Sequence, residues 1–271
     1  MKIAVTGGAG FIGSAVVAAA ESQGHDVWIC DRESGCDILQ NLDQLGGAES
    51  VIHLAGLLGT HELFDQVEDA VMTNVVGSLR VMQWCLKHDA SYTGILMPDV
   101  FPSVYTATKV ASKRLADALH HSAGLKVSHV RAYNAYGPGQ KHGPHHPQKI
   151  VPTFATKAWA GEPIPVWGDG TQVVDLVHTD DLGRMLVDAT KFTNNEVFDG
   201  GSGSGQTVNE VAEFINLLTN NKAGIDYLPM RRGEIPSETV YAKGEGWDLL
   251  GWRPLMHWGK LGETVQSYRP L

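Results

Sequence analysis

The sequence predicts an α/β fold in which a doubly wound parallel sheet carries a smaller, discontinuous C-terminal lobe. Residues 2–6 form a short apolar run that leads into three glycines spaced three residues apart and then into an Ala/Val-rich helix. Apolar strand-like runs alternate with helical ones through the first half of the chain. Residues 136–170 are rich in Gly, Pro and His, and there we expect the chain to leave the sheet.

The hydrophobic periodicity places the individual elements. The predicted strands of the sheet are 3–6, 27–30, 50–54, 93–97 and 127–133, with later strands at 173–178 and 196–199. The predicted helices are 14–22, 62–88 (one long helix or two abutting ones), 106–121 and 211–218. Thr207 and Glu210 form a capping-box pattern before the last helix. We therefore predict a nucleotide-binding domain over 1–137 and 173–200, a lobe over 138–172 and 201–271, and a site in the cleft between them.

The glycines at the first strand-to-helix turn have the spacing of a dinucleotide-binding Rossmann cradle. Gly7 permits the tight turn, Gly10 lets the backbone approach a pyrophosphate, and Gly13 lets the helix pack closely. Asp31 follows the second strand, where a carboxylate can accept the ribose hydroxyls of NAD. Its neighbour Arg32 could help to hold the 2′-phosphate of NADP. The sequence favours NAD as the cofactor and leaves NADP as the alternative.

The composition is that of an ordinary globular enzyme of 271 residues. Its net charge of -9 makes nucleic acid and anionic membranes improbable partners. The three cysteines, Cys30, Cys36 and Cys85, show no paired spacing and predict reduced thiols in a cytoplasmic protein. The sequence contains no stretch long and apolar enough to span a membrane, and the first strand begins too early to leave room for a signal peptide.

Tyr105 and Lys109 lie four residues apart on the predicted helix 106–121 and therefore share one face of it. Phenol ionises near pH 10, but an adjacent ammonium and a positive nicotinamide ring would favour phenolate. Tyr105 could then take the hydroxyl proton of an alcohol while the cofactor accepts hydride from the same carbon. This pair downstream of a dinucleotide cradle predicts an alcohol-oxidising centre.

Together these features resemble the extended short-chain dehydrogenases/reductases of the NAD-dependent epimerase/dehydratase family, which modify nucleotide sugars. The resemblance runs over nearly the whole chain. It includes Asp37 and Ile38, the loop His53–Gly56, Asn74–Gly77, Arg131–Gly139, Gly168–Gln172, His178–Asp181, Arg231–Glu234 and Leu250–Pro254. The cofactor-binding residues that it implies are Gly7, Gly10, Phe11, Ile12, Gly13, Asp31, Arg32, Asp37, Ile38, Leu54, Ala55, Gly56, Asn74, Tyr105 and Lys109.

On the substrate side, the resemblance implies that Asn134 and Arg231 contact the diphosphate of a nucleotide sugar. Trp167 lies before Gly168 in a strand that resembles one near the nucleotide base. Many relatives have an arginine where this chain has Val174, so phosphate binding here depends more on Arg231, Asn134 and Arg232.

The chain departs from the family after the strand 93–97. Relatives have a Ser or Thr there that hydrogen-bonds the reacting oxygen, whereas this chain continues Met97-Pro98-Asp99 and reaches Tyr105 after only five more residues. Asp99 is a candidate catalytic substitute for the hydroxyl residue, and Ser103 is a second one. Dehydratases of the family have a Thr-Asp-Glu signature, and this chain has Val100 where the glutamate would be. The resemblance therefore slightly favours an epimerase over a dehydratase as the functional hypothesis.

His142, His145 and His146 lack regular ligand spacing and nearby carboxylates or thiols, so we predict no metal site. The leading functional hypothesis is an NAD-dependent nucleotide-sugar epimerase or dehydratase that acts through a transient keto sugar. The alternatives are a reductase of small carbonyls and a non-catalytic NAD-binding protein. The resemblance also implies a homodimer formed through the helices within 62–88 and 106–121.

Overall fold

The computed structural model describes residues 1–143, 146–235 and 238–270. Its central layer is a six-stranded parallel sheet of order β2-β1-β3-β4-β5-β9. The strands are β1 (Lys2–Thr6), β2 (Asp26–Cys30), β3 (Ser50–His53), β4 (Ser91–Leu96), β5 (Val127–Ala132), β6 (Asn134–Tyr136), β7 (Ile164–Trp167), β8 (Val173–His178), β9 (Asn194–Gly200), β10 (Gly205–Thr207) and β11 (Ile225–Leu228). The helices are α1 (Phe11–Ser22), α2 (Val67–Ala70), α3 (Ser78–His88), α4 (Val104–Ala123), α5 (Ile150–Trp159), α6 (Thr179–Ala189), α7 (Val208–Thr219), α8 (Trp247–Leu250) and α9 (Trp258–Ser267).

Helices cover both faces of the central sheet, and this explains its nearly continuous apolar strands. Ile3 and Val5 of β1 belong to a buried cluster with residues of α1 and α6. Ala4, between them in sequence, belongs to a second cluster with residues of α3 and α4. Successive side chains of a strand point to opposite faces, so each apolar residue of β1 stabilises one of the two layers.

The predicted long helix 62–88 is divided into several pieces. A 3₁₀ turn occupies Glu62–Asp65, α2 follows, and a π-helical segment spans Val71–Gly77 before α3. Single π-turns within helices are rare and occur often at functional sites. This segment contains Asn74, one of the predicted cofactor-binding residues.

The lobe is built around two small sheets, of order β10-β8-β6 and β11-β7. Its core includes Tyr136, Phe154 and Leu176 together with residues of α7 and α9. The prediction that 173–178 belongs to the nucleotide-binding sheet is wrong, because β8 pairs with β6 and β10 instead. The apolar run of β8 shows only that it is buried, and burial in a lobe core satisfies it equally well.

The prediction of three reduced cysteines is also wrong. Cys30 and Cys36 form a disulfide with their Cα atoms 5.0 Å apart, and only Cys85 is free. The two cysteines are six positions apart in sequence, and the chain folds back on itself immediately after β2. The sequence pattern missed the pairing because it depends on this local turn. Burial raises the pKa of the Cys85 thiol, which favours its neutral form.

None of the helices in the described part of the chain is long and apolar enough to cross a lipid bilayer.

The fold contains two buried histidines, and we expect them to make its stability sensitive to acid. Burial lowers the pKa of His53 and of His129 to about 3, from an ordinary value of 6.5. The folded state therefore keeps both rings neutral, whereas the unfolded chain protonates them below pH 6.5. Their contribution to stability is complete above pH 6.5 and is lost as the pH falls towards 3, by about 1.4 kcal/mol per pH unit for each ring.

Urea unfolding measured between pH 7 and pH 4 tests this expectation. Neither ring nitrogen of His129 has a hydrogen-bond partner among the described residues, so His129→Leu removes one titrating group without breaking a bond. We expect this variant to lose stability less steeply with acid than the wild type. His121 is exposed on α4, and His121→Gln is the matched control. An unchanged slope in His129→Leu would contradict the assignment.

Candidate active site

A cleft of about 720 Å³ lies at the carboxyl ends of the central strands, between the sheet and the lobe. Carboxyl ends of parallel strands are where ligands bind in open α/β sheets. Most of the predicted site residues line the cleft. They are Gly7, Gly10, Phe11, Ile12, Gly13, Asp31, Arg32, Asp37, Ile38, Leu54, Ala55, Gly56, Asn74, Tyr105, Lys109, Asn134, Trp167 and Arg231.

The glycine loop has no room for side chains at its key positions. Gly7 has a φ of +71°, and a Cβ there would lie 2.8 Å from the backbone nitrogen of Ala55. A Cβ on Gly13 would lie 2.1 Å from the carbonyl oxygen of Gly7. Gly10 is the N-cap of α1, so the free N–H groups of the first helical turn face the cleft. This bare backbone beside a helix N-terminus fits the pyrophosphate of NAD.

Asp31 lies at the end of β2, beside the glycine loop. Its carboxylate accepts hydrogen bonds from the backbone N–H groups of Ala9 and Glu33, both at 3.2 Å. The side chain is therefore held at the mouth of the cradle and lines the cleft together with Arg32. A fixed carboxylate at this place fits the two hydroxyls of an adenosine ribose, as the sequence predicted for NAD.

Asn74 joins the loop 54–57 to α4. Its Oδ1 accepts a hydrogen bond from the N–H of Leu57 at 2.7 Å, and its Nδ2 donates to the carbonyl of Leu57 and to Oγ1 of Thr108. Asn74 is thus a positioning residue for the loop that contains Leu54, Ala55 and Gly56. The family resemblance implied only a contact with the cofactor.

His53 forms a second such connection at the end of β3. Its ring nitrogens lie 2.7 Å from Oγ1 of Thr6 and 2.9 Å from Oγ of Ser78. Ser78 in turn donates to the carbonyl of Asn74. This buried network ties β1 and β3 to the π-helical segment, which contains the cleft residue Asn74.

Tyr105 and Lys109 both face the cleft from the first two turns of α4. Burial raises the pKa of Tyr105 to about 12 and lowers the pKa of Lys109 to about 8. Burial is the cause of the raised Tyr105 pKa. The combined effect of the ammonium and a nicotinamide ring, which the sequence predicts to favour phenolate, stays a prediction. Lys109 is still mostly protonated at pH 7, so the pair presents a phenol and a cation to the cleft.

The strand end before α4 supplies no hydroxyl to the cleft. Met97 and Pro98 line it, whereas Asp99 is exposed and lies outside the described lining. The role proposed for Asp99 is therefore not supported by its position. Ser103, the other candidate, is the N-cap of α4, where its Oγ accepts the N–H of Thr106 at 3.1 Å. The short connection between β4 and α4 holds Ser103 at the helix end and turns Asp99 to solvent.

The far end of the cleft is lined by the cations Arg231 and Lys149 together with the carboxylates of Glu234 and Glu238. The guanidinium of Arg231 lies over the ring of Trp167, 4.3 Å from its centroid, and it is paired with the carboxylate of Glu234. It also lies 3.4 Å from Oε1 of Gln148. Glu234, Gln148 and the ring of Trp167 thus hold the guanidinium of Arg231 in the wall of the cleft. A planar guanidinium is a group suited to the recognition of phosphate oxygens.

Lys149 is a cleft residue that the sequence analysis missed. It precedes α5 and lines the cleft between Gln148 and Ile150. Burial lowers its pKa, and nearby Arg231 acts in the same direction, while Glu62 and Glu234 oppose the shift. Lys149 thus adds a second cation beside Arg231, in a wall that also contains the carboxylate of Glu234. The only signal in the sequence is a lysine at a helix start after a Gly/His/Pro-rich loop.

In the described part of the chain, no group of three or more His, Cys, Asp or Glu residues is arranged to hold a metal ion. His142 packs against Tyr268, and His145 lies outside the described residues. The prediction of no metal site stays a prediction.

Comparisons with known proteins agree with this geometry. The profile of the NAD dependent epimerase/dehydratase family matches residues 3–95 and 98–199. A dTDP-glucose 4,6-dehydratase from Xanthomonas campestris pv. campestris (strain B100) is 29% identical over 313 residues, covering 92% of this chain and 88% of the relative.

Two solved structures are similar over 99% of both chains. UDP-glucose 4-epimerase with UDP-glucose from Thermotoga maritima superimposes with a TM-score of 0.90 at 26% identity. MoeE5 in complex with UDP-glucose and NAD superimposes with a TM-score of 0.88 at 27% identity. With the glycine cradle, the Tyr105–Lys109 pair and a profile match over more than half of its length, the chain belongs to the NAD dependent epimerase/dehydratase family.

Proposed function

We propose that the protein is an NAD-dependent enzyme that modifies a nucleotide sugar through a transient keto sugar. The observation that carries this proposal is the position of Tyr105 and Lys109, which face one cleft between the glycine cradle and the basic wall around Arg231. A ligand that spans from the phenol to the basic wall needs an oxidisable hydroxyl at one end and an anion at the other. A sugar linked to a nucleoside diphosphate has both.

When bound, NAD supplies reversible acceptance of hydride from a sugar carbon. The residues of the chain do the rest. Tyr105 takes the proton of the sugar hydroxyl, and the ammonium of Lys109, on the same helix face, stabilises the charge that develops on the phenol oxygen. Asn74 and His53 keep the loop 54–57 and α4 at a constant distance, so that the cofactor and the phenol meet the same sugar carbon.

The disposition of acids favours an epimerase over a dehydratase. Elimination of water from the keto sugar needs a proton donor and a base near the carbons next to the carbonyl. At the end of β4, Asp99 is exposed and position 100 is a valine, so this strand end offers no acid to the cleft. Return of hydride to the opposite face of the keto sugar needs no further acid.

Substitution of Arg231 tests the nucleotide end of the proposal. Arg231→Leu removes a charge-assisted contact to phosphate and should raise KM for the nucleotide sugar by about tenfold to a hundredfold, with kcat changed much less. Arg232→Leu is the matched control, because that guanidinium lies over Phe64, outside the cleft lining. Equal effects of the two substitutions would contradict a phosphate contact at Arg231.

The reaction itself is tested by incubating the protein with NAD and a panel of UDP-, dTDP- and GDP-sugars and separating the products. We expect a sugar epimer and no net formation of NADH. A 4-keto-6-deoxy sugar would identify a dehydratase instead. Stoichiometric consumption of NADH with a small carbonyl would identify a reductase, and NAD binding without any turnover would support the non-catalytic alternative.

We also propose a homodimer through the surface formed by α2, the π-helical segment and α4. Val67, Val71 and Met72 are exposed apolar residues on this surface, and such side chains are typical of an interface rather than of a free surface. Sedimentation as a monomer at micromolar concentration would refute the dimer. The cytoplasmic location stays a prediction.

A further inference from the structure

The disulfide Cys30–Cys36 lies at the adenosine end of the cleft. Cys30 ends β2 and Cys36 precedes Asp37 and Ile38, and both cysteines belong to the cleft lining. The segment that they enclose contains Asp31, the carboxylate suited to the ribose. The structure thus places a covalent link across the base of the loop that presents Asp31.

Besides the disulfide and Asp31, the loop contacts the rest of the fold through surface groups: Nε2 of Gln44 donates to the Gly35 carbonyl at 3.3 Å, and Lys141 lies 3.7 Å from the carboxylate of Glu33. Arg32 to Ser34 form a single 3₁₀ turn, and the residues from Glu33 to Gly35 are exposed. The Asp31 carboxylate accepts the N–H groups of Ala9 and Glu33. The backbone N–H of Asp31 donates to Oγ of Ser34, and its carbonyl accepts the hydroxyl of Ser34 and the N–H groups of Ser34 and Cys36. A short exposed turn of this kind opens locally, and a covalent link across its base limits how far it opens.

We propose that Cys30 and Cys36 form a redox site that controls the affinity of the protein for NAD, with a low-molecular-weight or protein dithiol as the reductant. Both cysteines are buried, with exposed fractions of 1% and 2%, so the dithiol reaches the pair when the turn 32–35 opens. Its thiolate attacks one sulfur of the pair and releases the other as a thiol. The second thiol of the reductant then resolves the mixed disulfide, leaving Cys30 and Cys36 as thiols and the reductant as a disulfide. Two electrons and two protons pass to the protein.

Reduction weakens NAD binding because the loop must then be ordered when the cofactor binds. Fixing the backbone of about one residue corresponds to roughly a tenfold change in affinity. Linkage makes the effect reciprocal: bound NAD stabilises the disulfide by the same factor. A tenfold difference corresponds to a shift of about 30 mV in the midpoint potential of the pair. The inference concerns the cofactor end of the cleft and does not depend on which sugar the protein uses.

The experiment measures the dissociation constant for NAD by calorimetry, on air-oxidised protein and after treatment with dithiothreitol. Alkylation after denaturation counts the thiols: one is expected in the oxidised protein and three in the reduced protein, out of three cysteines in the chain. We expect the dissociation constant to rise about tenfold on reduction. The double variant Cys30→Ser/Cys36→Ser should show the weaker affinity with or without dithiothreitol.

Cys85→Ala is the matched control, because Cys85 is a buried free cysteine outside the cleft lining and should leave the redox response intact. A second measurement uses the wild type alone: saturating NAD should lower the midpoint potential of the pair in a glutathione or dithiothreitol redox buffer. Equal NAD affinities of oxidised and reduced protein, a potential that NAD does not move, or three thiols in the air-oxidised protein would each overturn the proposal. A failure of the nucleotide-sugar assay would leave these binding measurements unaffected.

Discussion

Replacing Tyr105 by phenylalanine should lower turnover by about 10²- to 10⁴-fold while the affinity for NAD stays nearly unchanged. The substitution keeps the ring and removes only the oxygen that takes the proton of the sugar hydroxyl. The cleft residues at the end of the neighbouring strand, Met97 and Pro98, have no hydroxyl group. The hydroxyl of Ser103 is already bonded as the N-cap of α4. No other group at this strand end is therefore placed to act as the base.

Lys109→Met is the informative comparison. It removes the charge that stabilises the phenolate and, by the family resemblance, a contact with the nicotinamide ribose, so it should weaken both turnover and NAD binding. Turnover is measured with saturating NAD, and NAD affinity is measured separately by calorimetry. A Tyr105→Phe enzyme with wild-type turnover would falsify the assigned role of the phenol and leave the fold assignment intact.

Asp199→Ala should reduce the free energy of unfolding by about 3–5 kcal/mol, the largest stability effect that we expect from one side chain. Asp199 is fully buried at the end of β9. One of its oxygens accepts from Nη1 of Arg131 at 2.7 Å and from the hydroxyl of Tyr133 at 3.2 Å. The other accepts the consecutive backbone N–H groups of residues 243–245, at 2.8 to 3.2 Å.

Removal of this carboxylate leaves the hydroxyl of Tyr133 and the partly buried N–H groups of residues 243–245 without this acceptor, while Arg131 keeps its bond to Glu245. Polar groups held away from water without a partner carry the cost of desolvation. Urea unfolding measures the effect, and an unchanged m-value confirms that the unfolded state is comparable. Asp226→Ala is the matched control: Asp226 is exposed on β11, and its loss should change stability by no more than about 0.5 kcal/mol. A loss below about 1 kcal/mol in Asp199→Ala would contradict the structural role given to Asp199.

The Asp199→Asn variant separates charge from shape. An amide oxygen can accept from one set of donors, but its NH₂ group then faces the other set. We expect a stability between those of the wild type and Asp199→Ala. Because Tyr133 lines the cleft and donates to Asp199, the turnover of the folded Asn variant reports whether this connection also positions the substrate.

Sequence alone predicted the parts of the site whose residues are close together along the chain. The glycine cradle lies within thirteen residues, and its spacing, the preceding strand and the following helix are all visible in the pattern. The Tyr105–Lys109 pair needs only helical periodicity to share a face. The parallel sheet follows from alternating apolar strands and helices, and the capping box at Thr207 and Glu210 appears in the structure as predicted.

Contacts between distant segments were decided only by the tertiary structure. Lys149 joins the cleft because α5 begins beside Arg231, a residue far away along the chain, and Asp99 leaves it because the connection to α4 is short. β8 pairs in the lobe although its apolar pattern suits the central sheet equally well. The Cys30–Cys36 link depends on one turn after β2. The hydrophobic pattern specifies which residues are buried and which local conformation they adopt. The neighbours of each buried or charged group depend instead on how the elements pack against one another. Packing joins segments that are distant in sequence, so no single segment encodes it.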